Sequence, residues 1–214
     1  LSIRVGANSG FALIQPDFQD IFSEIKSGQK KITEYFLGNP FRIGSPSFFQ
    51  VNTKQAEKLS ELLVEHLSLD GSEMVLDTYC GVGVFSVLLA PFVKNVVGIE
   101  ISDSAIEDAI FNSRHLDNVE FIKDSSEEAL KKLDFHPDIV ILDPPRSGCK
   151  KNVLDSLKLI KPKKILMISC DLESFMRDTE ILCMNDYQLK LVQPVDMFPN
   201  TKHIEIFGVL EKLN

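Results

Sequence analysis

Between residues 74 and 184 short apolar runs alternate five times with amphipathic stretches. The runs at 74–76, 96–99, 119–122, 139–142 and 165–168 have the length of strands. The stretches at 84–90, 103–117, 125–133, 150–160 and 172–184 carry apolar residues at helical spacing. Runs as apolar as DIVILD (138–143) and KKILMIS (163–169) suit strands covered on both faces, as in a parallel sheet between two helix layers. Repeated alternation of this kind predicts a doubly wound α/β domain. A helix over 52–69 leads into it, with Leu59, Leu62, Leu63 and Leu67 on one face and Asn52 placed to cap it.

Two more strand candidates, 187–195 and 203–210, follow with no helix between them, and are expected as an antiparallel pair at the sheet edge. That ending favours the class I S-adenosylmethionine-dependent methyltransferase version of the α/β fold over a plain dinucleotide fold. The expected sheet is Rossmann-like and seven-stranded, with an antiparallel C-terminal strand. Residues 1–44 read differently. Short β-like runs at 1–5, 11–14 and 41–43 are broken by Gly, Asn and Pro and by polar stretches such as 26–31. We expect 1–44 to be a remnant of a β-rich central domain and 45–214 the catalytic domain.

Composition excludes several classes. With 44% apolar and 25% charged residues, the chain is neither disordered nor fibrous. No apolar run reaches the ~18 residues of a membrane helix. The first residues form neither a signal nor a transit peptide, and without an initiator Met the chain reads as cut or processed. Cys80, Cys149, Cys170 and Cys183 are scattered without a CxxC pair, which argues against a zinc site or a disulfide framework and for the cytoplasm. A net charge of −8 argues, by itself, against a nucleic-acid binder.

The segment Val75–Phe85 reads as strand, glycine turn and helix start. Gly81 and Gly83 let the backbone approach a ligand at that turn. The next strand ends in Glu100, where a ribose diol is gripped in such folds. A nicotinamide cofactor calls for a third glycine near position 86, which is Ser86. An adenosine-bearing cofactor without pyrophosphate, S-adenosylmethionine, fits better. For Glu100 a plain solvated strand end stays open.

Asp143-Pro144-Pro145-Arg146 leaves the fourth strand through a stiff double proline at the ligand edge of the sheet. Asp143 and Arg146 are candidates there, with strand punctuation and a surface ion pair as the alternatives. Cys170 follows the fifth strand just before a helix, whose dipole is expected to lower the thiol's pKa. Leu172, Phe175, Met176 and Cys183 are expected to share one face of that helix. Glu205 lies in an otherwise apolar run from Ile204 to Leu210, so its carboxyl is expected to be partly desolvated and raised toward base duty, unless it faces solvent. His203 either orients Glu205 or is exposed. Phe48 and Phe49 are either core at a hinge or a stacking surface for a base.

Taken together, SFFQVN (47–52), LDTYCGVGVF (76–85), GIE (98–100), DPPRSGC (143–149), ISCDLESFMRD (168–178) and QPVDMFPNTKHIE (193–205) resemble the RNA uracil carbon-5 methyltransferase family. That family makes 5-methyluridine in tRNA and ribosomal RNA, and the QPVDMFP wording looks closer to the 23S ribosomal RNA branch. The resemblance implies S-adenosylmethionine contacts at Gln50, Tyr79, Gly81, Glu100 and Asp143. It implies Cys170 as nucleophile and Glu205 as the base that removes the carbon-5 proton. Phe49, Arg146 and His203 are substrate candidates. It also implies an RNA partner, ribosomal before transfer RNA, a monomer with no membrane, and no metal in this chain. An iron–sulfur cluster belongs only to N-terminal segments that some members carry.

The chain departs from the family at Asp171-Leu172, where Asn-Pro is common, at Lys202, often His, and at Val84, sometimes Asn. The rival readings are an adenine amino methyltransferase of the same fold, a cofactor-binding module without catalysis and a nicotinamide reductase. Adenine enzymes usually carry an aromatic where this chain has Arg146.

Overall fold

A computed structural model describes residues 1–184 and 186–213. Seven strands form one sheet, which runs from rim to rim through residues 187–195, 205–212, 164–169, 139–142, 74–78, 95–100 and 119–123. They are β5 (Met74–Thr78), β6 (Asn95–Glu100), β7 (Val119–Lys123), β8 (Ile139–Leu142), β9 (Lys164–Ser169), β10 (Tyr187–Val195) and β11 (Glu205–Lys212). The five from β5 to β9 are mutually parallel, and β11 runs antiparallel to β9 and to β10. The connecting helices are α2 (Val84–Leu89), α3 (Asp103–Ser113), α4 (Ser126–Ala129), α5 (Lys151–Ile160) and α6 (Leu172–Cys183), and α1 (Thr53–Leu67) precedes the sheet. Every residue of β8 is buried, as apolar strands between two helix layers must be.

The last two strands do not simply extend the edge. β11 inserts between β9 and β10, and β10 takes the rim. The reason lies in their side chains. Six consecutive residues from Glu205 to Leu210 are buried, which suits an internal strand, whereas β10 alternates between covered and open positions.

The first 44 residues form two antiparallel hairpins: β1 (Ser2–Val5) with β2 (Ala12–Gln15), and β3 (Lys31–Phe36) with β4 (Asn39–Gly44). β3 is the one strand that the apolar runs do not reveal. Its inward positions are Ile32, Glu34 and Phe36, and the charge in the middle hides the alternation. Glu34 is nevertheless buried, because Oε1 accepts the N–H groups of Ser9 at 2.9 Å and Tyr35 at 2.8 Å.

Phe36, Phe41 and Ile43 join the core built on α1. Asp108 on α3 ties the hairpin down. Its buried carboxylate accepts the Gly44 N–H and Arg42 Nε at 2.7 Å. Asn112 accepts Arg42 N–H at 2.8 Å and donates to Val82 O at 3.0 Å, so the hairpin is joined to the glycine turn after β5. Asn52 caps α1 as expected, accepting Gln55 N–H at 3.3 Å.

Candidate functional site

The sheet's strand order reverses beside β5, where β6 lies on one side and β8 on the other. Loops leaving the carboxyl ends of β5 and β8 part there, and such a switch point opens a crevice. Two clefts meet at Tyr79. The first, of about 570 Å³, is lined by Phe48, Phe49, Gln50, Tyr79, Gly81 and Asp143 among others. The second, of about 690 Å³, is lined by Tyr79, Glu100, Ile101, Asp124, Pro145 and Ser147 among others. Gln50, Tyr79, Gly81 and Asp143 therefore converge although they lie far apart in the chain, and Glu100 faces the adjoining space.

Local chemistry shapes this crevice. Tyr79 has φ +63° and Gly81 has φ +56°, so the chain turns sharply after β5. A Cβ on Gly81 would meet nothing within 4 Å, so that side of the turn stands open. The Gly81 N–H donates to Glu100 Oε2 at 2.9 Å and Ser102 N–H to Oε1 at 2.7 Å. Each oxygen keeps lone-pair capacity for a further donor. Asp77, which sequence reasoning did not single out, lies buried beneath the turn. Ser86 Oγ donates to its Oδ2 at 2.6 Å, and Oδ1 has no partner among the described residues. Ser86 thus stands at the third-glycine position with a polar task of its own. Burial pushes the Asp77 carboxyl up to about 7.

The second group is assembled by strand register. Ser169 of β9 pairs with Ile206 of β11. The next residues beyond that pair are Cys170 and Glu205, at the carboxyl edge of β9, and the charge of Glu205 reaches the Cys170 thiol. Glu205 is 5% exposed, and burial pushes its carboxyl up to about 7, as its apolar flanks predict. Asp143 joins them. Burial first, then the charges of Glu205 and Asp77, push its carboxyl up to about 8.

The Cys170 thiol is a correction to the sequence expectation. Its pKa is raised, not lowered, by burial and then by Glu205, and Arg146 opposes this only weakly. The start of α6 has a partner of its own, since Asp171 is the N-cap and its Oδ2 accepts Ser174 N–H at 3.0 Å.

The expected face of α6 also differs. Leu172 and Met176 are exposed, and the buried set is Ser174, Phe175, Asp178, Thr179 and Leu182. A serine, a threonine and an aspartate on the inner face cannot be recognised from apolar spacing.

Of the two adjacent aromatics, Phe49 is core, edge-on to Phe36 at 6.0 Å, while Phe48 is 71% exposed. Arg146 is exposed, with Nε 3.9 Å from Asp171 Oδ1. His203 packs edge-on against Phe198 at 6.3 Å. Asp124 in the second cleft was missed too, although an acid directly after a strand end is the same signal that marked Glu100. Among the described residues no cluster of three His, Cys, Asp or Glu is placed to hold a metal, and no helix is long and apolar enough to cross a membrane.

Comparison with known proteins gives a consistent picture. Residues 38–213 match the sequence model of the tRNA (uracil-5-)-methyltransferase family. An uncharacterized RNA methyltransferase of Clostridium acetobutylicum is 41% identical over 192 residues, 87% of this chain and 42% of the relative. One from Staphylococcus aureus is 38% identical over 205 residues, 90% of this chain and 45% of the relative. The chain thus spans less than half the length of these relatives. Among solved structures, the tRNA (uracil-54, C5)-methyltransferase of Pyrococcus abyssi, in complex with S-adenosyl-L-homocysteine, superposes with TM-score 0.81 at 29% identity over 97% of this chain and 58% of its own. TYW2 of M. jannaschii, in complex with AdoMet, shares the fold at TM-score 0.62 and 16% identity.

Proposed function

The chain belongs to the tRNA (uracil-5-)-methyltransferase family, and on that footing we propose that it binds S-adenosylmethionine and methylates carbon 5 of a uridine in RNA. The observation that carries the reading is the meeting of Cys170, Glu205 and Asp143 at one sheet edge beside the Tyr79 clefts.

The residues present fit the cofactor. Gly81 leaves open space, Glu100 retains acceptor capacity for a diol, and the buried Asp77 Oδ1 lacks a partner among the described residues. Gln50, Tyr79, Gly81, Glu100 and Asp143 would hold it. When bound, S-adenosylmethionine supplies an electrophilic sulfonium methyl.

The chain's own groups do the rest. Uracil carbon 5 is a weak nucleophile. The Cys170 thiolate adds to carbon 6, and the electron pair of the C5–C6 double bond moves toward carbonyl oxygen 4 as an enolate. Carbon 5 thereby becomes electron-rich enough to accept the methyl group. Glu205 then takes the carbon-5 proton, the double bond re-forms, and the thiolate is expelled. Phe48, rather than the buried Phe49, offers a ring face to a base drawn into the cleft. Asp171, an extra acid beside the nucleophile, is turned onto the helix end and faces Arg146.

The proposed target is ribosomal RNA, on the wording of QPVDMFP (193–199). Transfer RNA is the second reading, favoured by the substrate of the P. abyssi relative. The test is mass spectrometry of both RNA classes from cells lacking the protein. Loss of 5-methyluridine from ribosomal RNA is expected. Loss from tRNA alone would move the target, and loss from neither would end the reading. A monomer in the cytoplasm completes the proposal.

Charge predicts how affinity divides. At −8 overall, the chain supplies little phosphate attraction beyond local cations such as Arg146 and Lys202. Calorimetry should therefore find cofactor binding with little RNA binding at physiological salt, and tight RNA binding there would contradict this division.

Acidity predicts the pH profile. Glu205 is a base only when ionised, so its base form declines below about 7. Cys170 must lose a proton held more tightly than usual, so the thiolate fraction climbs with pH above 7 as well. Single-turnover rates should fall roughly tenfold or more from pH 8 to pH 6. A flat profile across that interval would contradict both environments.

A further inference from the structure

Resting on the uridine chemistry above, we infer that Asp178, with Arg177, is a positioning residue that clamps the 143–149 loop to α6 and so sets where Asp143 and Arg146 stand relative to Cys170.

The clamp is built from backbone and buried charge. Asp178 sits on the inner face of α6 and is 1% exposed. Its Oδ2 accepts the Cys149 N–H at 2.7 Å. Its Oδ1 accepts Arg177 Nε at 2.8 Å and Nη2 at 2.6 Å. The same Nη2 donates to Ser147 O at 3.0 Å. Two neighbouring side chains of α6 therefore hold the loop backbone on either side of Gly148.

Gly148 shows how close the two parts come. Its φ is +77°, its N–H donates to Pro145 O at 2.8 Å, and a Cβ there would collide with the Arg177 guanidinium and the Asp178 carboxylate. The other end of the loop meets the start of the same helix, where Arg146 faces the capping Asp171. Cys170 immediately precedes that cap. The double proline, Pro144-Pro145, stiffens the stretch that links Asp143 to these anchor points. Asp143, Arg146 and Cys170 thus ride on one rigid unit although they leave two different strands.

A buried carboxylate is costly unless fully partnered, and apolar packing alone would seat the helix more cheaply. What a carboxylate adds is direction, since it holds the Cys149 amide itself and the Arg177 guanidinium that in turn holds the Ser147 carbonyl. Displacements near 1 Å at such a loop cost about 10²-fold in rate.

The test compares wild type, Asp178→Asn and Arg177→Gln on an RNA oligonucleotide carrying 5-fluorouridine. With S-adenosylmethionine supplied, carbon 5 takes the methyl group but keeps its fluorine, which a base cannot remove, so elimination is blocked and the Cys170 adduct accumulates. Adduct formation is followed in single turnovers at low salt with RNA in excess, alongside thermal melting and S-adenosylhomocysteine calorimetry. Both variants should form adduct roughly 10- to 100-fold more slowly at saturating RNA, with melting still cooperative and cofactor affinity within about fivefold. Arg177 is exposed, so Arg177→Gln keeps the test alive if Asp178→Asn does not fold. Wild-type adduct rates in a folded variant would overturn the clamp. If wild type forms no adduct, the uridine reading fails, and hydrogen exchange at the Cys149 amide and the alkylation rate of Cys170 judge the clamp alone. Both should change in Arg177→Gln, and unchanged values would overturn it.

Discussion

Cys170→Ala should abolish methyl transfer to uridine while S-adenosylhomocysteine binds within about threefold of wild type. The reasoning runs through the sheet. Cys170 stands one step past the Ser169–Ile206 pair, away from the Gly81 turn and from Glu100, so removing its sulfur leaves the proposed cofactor contacts in place. It is only partly buried, and alanine there costs little packing. The chemistry has no substitute. Among the described residues the other cysteines lie elsewhere: Cys80 and Cys149 are buried, and Cys183 is the last residue of α6. Without addition at carbon 6, carbon 5 stays unreactive, and losing a covalent nucleophile costs on the order of 10⁴–10⁶-fold. Transfer of a labelled methyl group to a uridine-containing RNA, with calorimetry in parallel, checks both halves. Wild-type turnover by the alanine variant would refute covalent catalysis.

Glu205→Gln should accumulate what the wild type only passes through. The amide keeps the shape of the side chain but cannot take the carbon-5 proton. Methylated uridine should therefore remain attached to Cys170, as a protein–RNA band that survives denaturant. Turnover should fall roughly 10²- to 10⁴-fold, the usual worth of a positioned base. Unfolding is not a competing explanation. The Glu205 carboxyl is raised to about 7 in the fold, so its ionised form is disfavoured there. Wild-type stability therefore declines between the ordinary carboxyl pKa of about 4.3 and pH 7, and stays at the lower level above. Glutamine removes that decline, so the variant should melt no lower than wild type at pH 8. A variant that turns over slowly and forms no adduct would point to a different proton acceptor, with Asp143 the nearest candidate in the same cluster.

Local chemistry makes much of this protein legible in its sequence. The β–α alternation survives intact, since apolar periodicity is a property of neighbouring residues and needs no knowledge of the partner. The strand at 139–142 begins and ends where its apolar run does, and the cap at Asn52 forms as read. The motif residues stand out as candidates because glycines, double prolines and strand-end acids mark the loops at the ligand edge of such a sheet. Gln50, Tyr79, Gly81 and Asp143 do line one cleft.

What the sequence could not reveal are the places where a polar group is buried by a distant partner. Glu34 hides β3 until the backbone of Ser9 arrives to satisfy it. Asp178 looks like one more surface acid on α6 until the Cys149 amide reaches it. Cys170 was expected to be acidified by its helix, yet tertiary folding brings Glu205 and Asp143 against it and turns Asp171 onto the helix end. The order of elements and the choice of candidate reactive side chains therefore come from the sequence alone, because both follow from residue type and short-range spacing. Which face of α6 turns inward, which strand takes the rim, and whether the thiol is eased or held back are decided only by the tertiary structure. Each depends on desolvation and on charges contributed by residues remote in the chain.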